Sequence, residues 1–354
     1  MSRFFSAKYE KLVPYTPGEQ PKVLKLTKLN TNECPFPPSE KALRYAQEYT
    51  RPLNLYSDIE GTELRAALAA LYGIGAENLI LGNGSDEILN FAFMAFCDEK
   101  RPAAFPDISY GFYPVFAQLN RIPYTEIPLR ADFSVAPEAY FELGKTIFLA
   151  NPNAPTGLAL TRAEVRTILE HNRDRVVVID EAYVDFGGES CIPLIGEFDN
   201  LLVAQTFSKS RSMAGARLGF AAGNAALIAD LNTIKFSTNP YNVNSMTLAL
   251  GLGVVLDEET TQANCRAVME NRAYTTTALT ELGFTVLPSS ANFIFAKSDR
   301  IGGGALYEAL KARGVLIRHF NADRIKDYNR ITIGTKEQMD ILLKNIRDIL
   351  EELP

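Results

Sequence analysis

One lysine lies among hydroxyl groups in the stretch TFSKSRSMAGARLGF, residues 206–220. The hydroxyl-bearing neighbours of Lys209 are Thr206, Ser208, Ser210 and Ser212. The stretch contains no acidic residue to pair with Lys209, Arg211 or Arg217. We expect burial and the two arginines to lower the pKa of Lys209, and a neutral amine attacks carbonyl carbon atoms. The alternative is a solvated loop lysine, as most lysines are.

The groups around Lys209 also predict an anion-binding site, because hydroxyl groups and the guanidinium of Arg217 suit a phosphate. A second candidate is GNGSDE, residues 82–87, which joins a predicted strand to a predicted helix. Its glycines let backbone N–H groups approach an anion at the helix N-terminus. Gly84, Ser85 and Asp86 are the candidate residues, although Ser85 and Asp86 are also ordinary N-cap residues. The segment matches neither the Walker nor the GxGxxG pattern.

Asp180 ends the apolar run VVVID, and Tyr183 follows three residues later. A carboxylate at the end of a buried strand requires a partner, and a hydrogen-bonded structural aspartate is the alternative to a functional one. A phosphate ester that carries an aldehyde and a pyridinium ring would use all of these groups together. Lys209 would react with the aldehyde, the hydroxyl groups and Arg217 would hold the phosphate, and Asp180 would pair with the ring nitrogen.

Strands and helices that alternate along the first two thirds of the chain must position these residues. The predicted strands include AAFPD, TIFLA, RVVVIDEAY, LLVAQTFSK and GFAAG. Two predicted helices begin near residue 62 and after residue 84, and two more cover SYGFYPVFAQLN and residues 162–174. This alternation indicates an α/β domain around a mainly parallel sheet. Ligands of such sheets bind beyond the carboxyl ends of the strands.

The pattern changes after about residue 250. A long predicted helix at 258–282 precedes the separate strand candidates FTVLP, NFIFA, VLIRHF and RITIG, and a final helix ends the chain. We therefore predict three parts. Residues 1–28 form an extended arm, 29–250 a large α/β domain, and 251–354 a smaller α+β domain.

Composition narrows the class of partner. The 354 residues carry a net charge of −6 with no block of like charges, which argues against nucleic acid or an anionic membrane as the main partner. Four separated cysteines and two histidines have no metal-site spacing, so we predict no metal and reduced thiols. The N-terminal segment lacks a signal-peptide apolar region, and the most apolar segment, 246–256, is too short to span a bilayer. These features predict a cytoplasmic protein.

Motifs spread over nearly the whole chain resemble those of the fold-type I pyridoxal-phosphate-dependent aminotransferases of class I/II. Within that superfamily the set is most similar to the histidinol-phosphate aminotransferase family. The resemblance implies an aspartate-aminotransferase-like large domain with a mainly parallel seven-stranded sheet flanked by helices. The matching motifs are LNTNECPFPPS, YSDIEGTELR, GNGSDE, YGFY, NPNAPTG, VVIDEAYVDF, FSKSRSMAGARLGF, NPYNVNS, SANFI and NRITIGT.

The resemblance implies pyridoxal 5′-phosphate as cofactor and gives each residue a role. Lys209 would link to the aldehyde and later carry a proton between the substrate Cα and the cofactor C4′ atom. Asp180 would keep the pyridine nitrogen protonated, Tyr183 would bond the 3′ oxygen, and Tyr110 would stack on the ring. The implied phosphate-binding groups are Gly84, Ser85, Asp86, Thr206, Ser208 and Arg217.

Two further implications concern the cofactor. Tyr56 resembles the residue that reaches the phosphate from the neighbouring subunit, which implies a homodimer with shared active sites. The family loop often reads NPNNPTG, and the second asparagine of its NN pair contacts the 3′ oxygen. Here that position is Ala154. Either Asn153 takes over the contact or Tyr183 makes it alone, and we expect Asn153 to do so.

The resemblance also implies a substrate site. Arg330 matches the arginine that holds a substrate α-carboxylate, a bidentate role that suits a planar guanidinium. The alternative for Arg330 is a surface arginine on an edge strand. Arg318 matches an arginine that helps to bind the substrate phosphate. Tyr15 and Asn32 resemble residues that close over the substrate, whereas we expect His319 only to line the strand surface.

The implied reaction is a ping-pong amino transfer from histidinol phosphate to 2-oxoglutarate, in histidine biosynthesis. Its products are imidazole-acetol phosphate and glutamate. Three alternatives remain open from the sequence. These alternatives are an aminotransferase for aromatic amino acids, a decarboxylase of threonine phosphate, and a phosphate-ligand binding protein without catalysis. The last alternative predicts no covalently bound cofactor.

Overall fold

The computed structural model describes residues 5–19 and 26–353. Parts of the predicted arm, residues 1–4 and 20–25, lie outside the described residues. The strands are β1 (Thr27–Lys28), β2 (Leu79–Gly82), β3 (Ala103–Pro106), β4 (Tyr124–Ile127), β5 (Thr146–Ala150), β6 (Val177–Asp180), β7 (Leu201–Thr206), β8 (Gly219–Gly223), β9 (Phe284–Val286), β10 (Phe293–Ser298), β11 (Val315–Leu316), β12 (Arg318–His319) and β13 (Tyr328–Thr332). The α-helices are α1 (Glu40–Glu48), α2 (Thr62–Tyr72), α3 (Ser85–Phe96), α4 (Tyr113–Asn120), α5 (Arg162–Glu170), α6 (Ala225–Thr238), α7 (Ser245–Val255), α8 (Glu258–Glu281), α9 (Gly303–Ala312) and α10 (Lys336–Glu351).

A seven-stranded sheet with the order β2-β8-β7-β6-β5-β3-β4 forms the larger part of the fold. The neighbours among β7, β6, β5, β3 and β4 pair in parallel, whereas β8 runs antiparallel to both β2 and β7. The prediction of a mainly parallel seven-stranded sheet in an α/β fold is therefore confirmed. The sheet places the carboxyl ends of β5, β6 and β7 side by side.

Strand β6 shows why the central strands are apolar at every position. Successive side chains of a strand point to opposite faces of the sheet. Val177 and Ile179 join the hydrophobic cluster on one face, and Val178 joins the cluster on the other. Both faces are covered by helices, so each position of the run is buried. Asp180 ends this strand and is itself only 4% exposed.

The second sheet has four strands in the order β12-β13-β10-β9, all paired antiparallel. The segment VLIRHF, predicted as one strand, forms two short strands. Val315 and Leu316 pair in parallel with Thr27 and Lys28, whereas Arg318 pairs with Arg330 on β13. The division of the chain at residue 250 stays a prediction, because α7 continues to Val255 within the core of the large sheet.

Two predicted elements are shorter than their sequence patterns suggested. The strand predicted over RVVVIDEAY ends at Asp180, and the residues after it form a turn and a short 3-10 helix. The helix predicted from Ser109 begins only at Tyr113, with Pro114 in its first turn, where proline is favoured. Among the described residues, no helix combines the length and the apolar character needed to cross a membrane.

Candidate active site

A cavity lies at the carboxyl ends of the central strands. Asp180 ends β6, and Thr206 ends β7. The loops after these strands bring the predicted residues together, although they are far apart in the sequence. The residues that line this first cavity are Ser85, Asp86, Tyr110, Ala150, Ala154, Asp180, Ala182, Tyr183, Thr206, Ser208, Lys209 and Arg217.

The N-terminus of α3 forms one side of the first cavity. Gly84 occupies the N-cap position with φ of +79°, and no side chain caps the first turn, so backbone N–H groups there remain available to an anion. A Cβ atom on Gly84 would lie 2.6 Å from Nη2 of Arg217. A Cβ atom on Gly219 would lie 2.5 Å from the backbone nitrogen of Ser85. The two glycines therefore let β8 and the guanidinium approach the helix start.

Arg217 completes this anion-binding region. Its Nη2 atom lies 3.2 Å from Oδ2 of Asp86, and its Nη1 atom donates to the hydroxyl oxygen of Ser208 at 3.4 Å. Thr206 donates its hydroxyl hydrogen to Ser208 at 3.0 Å. These side chains place one cation, two hydroxyl groups and a helix start around the same space. Such a set is suited to a phosphate group.

Asp180 is buried in the cavity, and no cationic side chain of residues 5–19 or 26–353 forms an ion pair with it. The hydroxyl group of Tyr113 donates to its Oδ2 atom at 3.1 Å, and the backbone N–H of Ala182 donates to Oδ1 at 3.3 Å. Burial raises the pKa of Asp180 to about 7, and the hydrogen bond from Tyr113 opposes this shift. A positively charged group brought beside Asp180 would therefore stabilise its carboxylate.

Lys209 lines the first cavity and donates Nζ to the carbonyl oxygen of Thr31 at 3.1 Å. Burial and, after it, the positive charge of Arg330 lower the pKa of Lys209 to about 8, while Glu33 and Asp86 oppose the shift. Arg217 makes a smaller contribution in the same direction as Arg330. The expected low lysine pKa is thus present, with burial as its main cause.

The other residues of the lysine loop serve the fold. Arg211, which we expected to lower the pKa of Lys209, is buried and forms an ion pair with Glu258 at 2.8 Å. Ser210 donates to the carboxylate of Asp185. Of the four hydroxyl groups around the lysine, only Thr206 and Ser208 line the first cavity. Arg211 is not among the largest contributors to the pKa of Lys209, so the expected effect of Arg211 stays a prediction.

In the described part of the chain, Asn153 lines neither this first cavity nor a second cavity that adjoins it. Its Nδ2 atom donates to the carbonyl of Ile108 and to Thr156, and its Oδ1 atom accepts from Ser109 at 2.7 Å. A contact between Asn153 and a ligand would require these bonds to break. The wall of the cavity is formed instead by Ala154, and the phenol of Tyr183 lies beside it.

A second cavity opens from the first one, because Tyr110, Ala154, Tyr183 and Lys209 line both. Arg318 and Arg330 lie directly opposite each other on β12 and β13, and both line this second cavity. Arg330 donates Nη2 to the carbonyl of Asn30 at 3.0 Å, and its buried Nε atom has no hydrogen-bond partner in the described part of the chain. Two cations therefore lie side by side near Lys209.

The remaining predicted residues are divided between the site and the surface. Tyr15 lines the second cavity and stacks on Phe112, with 4.2 Å between the ring centres. Asn32 lines it too and donates Nδ2 to the phenol oxygen of Tyr183 at 3.0 Å. His319 lies outside this lining, as expected, and bonds Asn329. Tyr56 is 81% exposed and belongs to neither cavity lining.

Two contacts of the site were not predicted. Tyr113, in the YGFY motif, holds Asp180, and the carbonyl of Thr31 accepts from Lys209. A tyrosine at this motif was a visible signal, but its partner is 67 residues away in the sequence. A backbone carbonyl carries no sequence signal. Within residues 5–19 and 26–353, no cluster of His, Cys, Asp or Glu side chains is arranged to hold a metal ion.

Comparisons with known proteins agree with this arrangement. Two proteins described as histidinol-phosphate aminotransferases, from Bradyrhizobium diazoefficiens and Aromatoleum aromaticum, are each 46% identical to this chain over 350 and 355 residues. Each alignment covers 99% of this chain and 100% of the relative.

Solved structures show the same fold at lower identity. The histidinol-phosphate aminotransferase of Sinorhizobium meliloti, solved with pyridoxal-5′-phosphate, superimposes with a TM-score of 0.85 at 21% identity, over 92% of this chain and 91% of that one. A mutant aspartate aminotransferase of Thermus thermophilus gives 0.82 at 21% identity, over 98% and 100%. The model of the family described as aminotransferase class I and II matches residues 25–346. Because that match spans most of the sequence, the chain belongs to the aminotransferase class I and II family.

Proposed function

We propose that this protein is a pyridoxal-phosphate-dependent aminotransferase that moves the amino group of histidinol phosphate to 2-oxoglutarate. The observation that carries the proposal is the single cavity that combines the low-pKa amine of Lys209, the carboxyl group of Asp180 and the anion-binding start of α3. The names of relatives that are 46% identical over nearly the whole chain support this choice of substrate.

The residues present fit the cofactor. Arg217, Ser208, Thr206 and the N–H groups after Gly84 would hold its phosphate, because Gly84 and Gly219 let the guanidinium and β8 approach the helix start closely. Asp180 is a buried carboxyl group with no cation in contact, and a protonated ring nitrogen would supply one. When bound, pyridoxal phosphate supplies an electron-accepting ring.

Lys209 performs the proton transfer in this proposal. With a pKa of about 8, its amine is neutral far more often near neutral pH than that of an ordinary lysine, and the same group can later give the proton back. Tyr113 and the N–H of Ala182 hold the carboxyl group of Asp180 in one orientation. Tyr110, whose hydroxyl group donates to Asp86 at 2.6 Å, forms a wall against which an aromatic ring can stack.

Arg330 and Arg318 would bind the anionic ends of the two substrates. Glutamate and 2-oxoglutarate carry an α-carboxylate, and we assign it to Arg330, which lies close enough to Lys209 to lower its pKa. Histidinol phosphate has no α-carboxylate but carries a phosphate, which we assign to Arg318 with help from Arg330. The two guanidinium groups stand opposite each other on neighbouring strands, so one pocket can serve both substrates in turn.

A homodimer with shared active sites is part of the proposal. Tyr56 stacks on Tyr241, with 4.2 Å between the ring centres, and its exposed ring lines neither the first nor the second cavity of its own chain. Leu53 and Leu55 nearby are 52% and 66% exposed. A second subunit would cover this apolar surface and receive Tyr56 near its own cofactor phosphate.

The decisive experiment compares substrates under identical conditions. We expect the loaded enzyme to transfer amino groups from histidinol phosphate with a kcat/KM at least one hundredfold above that for phenylalanine, and to release no carbon dioxide from threonine phosphate. Faster turnover of phenylalanine would show that the enzyme is an aminotransferase for aromatic amino acids. Release of carbon dioxide would show that it is a decarboxylase. Borohydride reduction followed by peptide mapping should place a pyridoxyl group on Lys209, and its absence would favour a binding protein.

A further inference from the structure

Ala154 changes the hydrogen bonding available to a ring in the first cavity. Its methyl group has no donor, and the neighbouring Asn153 is held by Ile108, Thr156 and Ser109. The phenol of Tyr183 lines the same part of both cavities. A ring oxygen at this place would therefore depend on Tyr183 for its hydrogen bond. The direction of the phenol proton then decides whether that bond is donated at all.

A chain of hydrogen bonds from β13 sets this direction. The backbone N–H of Asn32 donates to the hydroxyl oxygen of Thr332 at 3.0 Å. The proton of that hydroxyl group is then free to be donated, and Oδ1 of Asn32 accepts it at 2.9 Å. With its oxygen turned to Thr332, the amide turns its nitrogen to Tyr183, and Nδ2 donates to the phenol oxygen at 3.0 Å.

The residues of this hydrogen-bond series are also held firmly in place. Asn32 is 1% exposed and adopts a left-handed backbone conformation, with φ of +57°, which asparagine tolerates better than most residues. Asn292 donates Nδ2 to the carbonyl oxygen of Asn32 at 2.9 Å. Thr332 is 4% exposed and lies within the antiparallel sheet, paired with Phe293. Both side chains are therefore buried as well as hydrogen-bonded.

From this geometry we infer that Asn32 and Thr332 are positioning residues that direct the hydroxyl proton of Tyr183 into the cavity. Because the phenol oxygen already accepts from Asn32, its own proton remains to be donated to a ligand. This inference rests on the proposed function for the identity of the acceptor, the 3′ oxygen of pyridoxal phosphate. It gives Asn32 a different role from the expected closure over the substrate.

The hydrogen bond from Asn32 has a second effect on the phenol. Burial raises the pKa of Tyr183, and the charge of Arg330 and the amide of Asn32 both lower it. A phenol with a lower pKa is a stronger hydrogen-bond donor. A bond donated to the ring oxygen stabilises negative charge there and so favours the deprotonated form of the bound cofactor. Loss of these hydrogen bonds should therefore raise the pKa of the bound cofactor, so that it keeps its proton to a higher pH.

The test is a pH titration of the visible absorption of the loaded enzyme, which needs no turnover. We expect Asn32→Leu and Thr332→Val to raise the midpoint by about half to one pH unit, the size of one hydrogen bond. Thr332→Ser, which keeps the hydroxyl group, is the matched control and should titrate like the wild type. Tyr183→Phe should shift the midpoint at least as far, and adding Thr332→Val to it should cause no further shift.

Two results would overturn the inference: an unchanged midpoint in Thr332→Val, or an equal shift by Thr332→Val when Tyr183 is already phenylalanine. Since Thr332→Val is nearly isosteric, it keeps the test valid if Asn32→Leu does not fold. Failure of the proposed function has a separate signature. In that case the wild type would lack a pH-dependent visible absorption band. If the proposed function is right, the wild type shows this band and Lys209→Ala does not.

Discussion

Arg324 and Asp107 form an ion pair, with 2.8 Å between Nη1 and Oδ2, that joins the two sheets. Arg324 lies in the loop between β12 and β13, and Asp107 directly follows β3. The same guanidinium donates Nη2 to the carbonyl oxygens of Leu129 and Arg130, each at 3.0 Å. The loop is therefore held against the end of the large sheet, and it connects the two strands that carry the proposed substrate-binding arginines.

We expect Arg324→Gln to raise KM for both the amino donor and the oxo acid by about threefold to tenfold, because the loop and both arginines become less well positioned. The kcat value should change less than KM, since Arg324 touches neither Lys209 nor Asp180. Steady-state kinetics on both substrates measures this. Lys326→Gln is the matched control, because Lys326 lies in the same loop and pairs with the exposed Asp323. Equal KM values for Arg324→Gln and the wild type would contradict the prediction.

The low pKa of Lys209 predicts the pH dependence of cofactor loading. Only the neutral amine attacks the aldehyde, so the loading rate of the cofactor-free enzyme should rise with pH and level off above about 8. Stopped-flow absorbance measures this rate, and Lys209→Ala, which should not load covalently, is the control. A rate that continues to rise through the ordinary lysine range would show that the amine is not perturbed.

Arg330 should tune this profile, because its positive charge is the leading cause of the low lysine pKa after burial. We expect Arg330→Gln to raise the pKa of Lys209 and to move the loading profile to higher pH. Arg318→Gln serves as the control, since Arg318 is not among the largest contributors to the shift of this lysine. Identical profiles for Arg330→Gln and the wild type would mean that burial alone lowers the pKa.

Asp180→Asn should stabilise the cofactor-free protein at alkaline pH. The folded-state pKa of Asp180 is raised to about 7, so the folded protein binds this proton more tightly than the unfolded chain does. Its contribution to the free energy of unfolding is therefore full below the ordinary aspartate range and is lost as pH rises through about 7. At pH 8 the variant should gain on the order of 1 to 3 kcal/mol in urea unfolding.

The gain of Asp180→Asn should largely disappear at pH 4, where the carboxyl group of Asp180 in the folded wild type is protonated and therefore neutral like the amide. This comparison is the internal control. Amino transfer should fall by at least one hundredfold, because the asparagine carries no charge to hold a protonated ring nitrogen. A variant that is less stable than the wild type at pH 8 would show that the negative charge of Asp180 is satisfied without a cofactor.

Shared active sites predict complementation between two defective subunits. Lys209→Ala removes the amine, and Tyr56→Ala removes the phenol that we propose enters the partner's site. A hybrid dimer contains one site with both residues intact, so random reassortment should restore about a quarter of the wild-type activity. The measurement is activity after the two variants are mixed under conditions that exchange subunits. If the mixture merely averages the two variants, each site belongs to one chain.

The local features of this protein could be predicted from its sequence. The run VVVID forms a strand buried on both faces, and the segment GNGSDE forms a strand end followed by a helix start. Lys209 and Asp180 could be selected because each follows or ends such a strand. These predictions succeed because the hydrophobic period and the glycine positions act over a few neighbouring residues.

The tertiary structure decided which polar groups are free. Asn153 and Ala154 are neighbours in the sequence, yet the first is tied to its own loop and the second faces the cavity. Asn32 meets Tyr183 across 151 positions and Thr332 across 300. The sequence pattern does not predict these contacts, because they depend on how the two sheets pack and on which acceptor lies beside each buried donor. The residue types were therefore set by the chain, whereas their hydrogen-bond directions, and with them the proposed chemistry, were set by the packing.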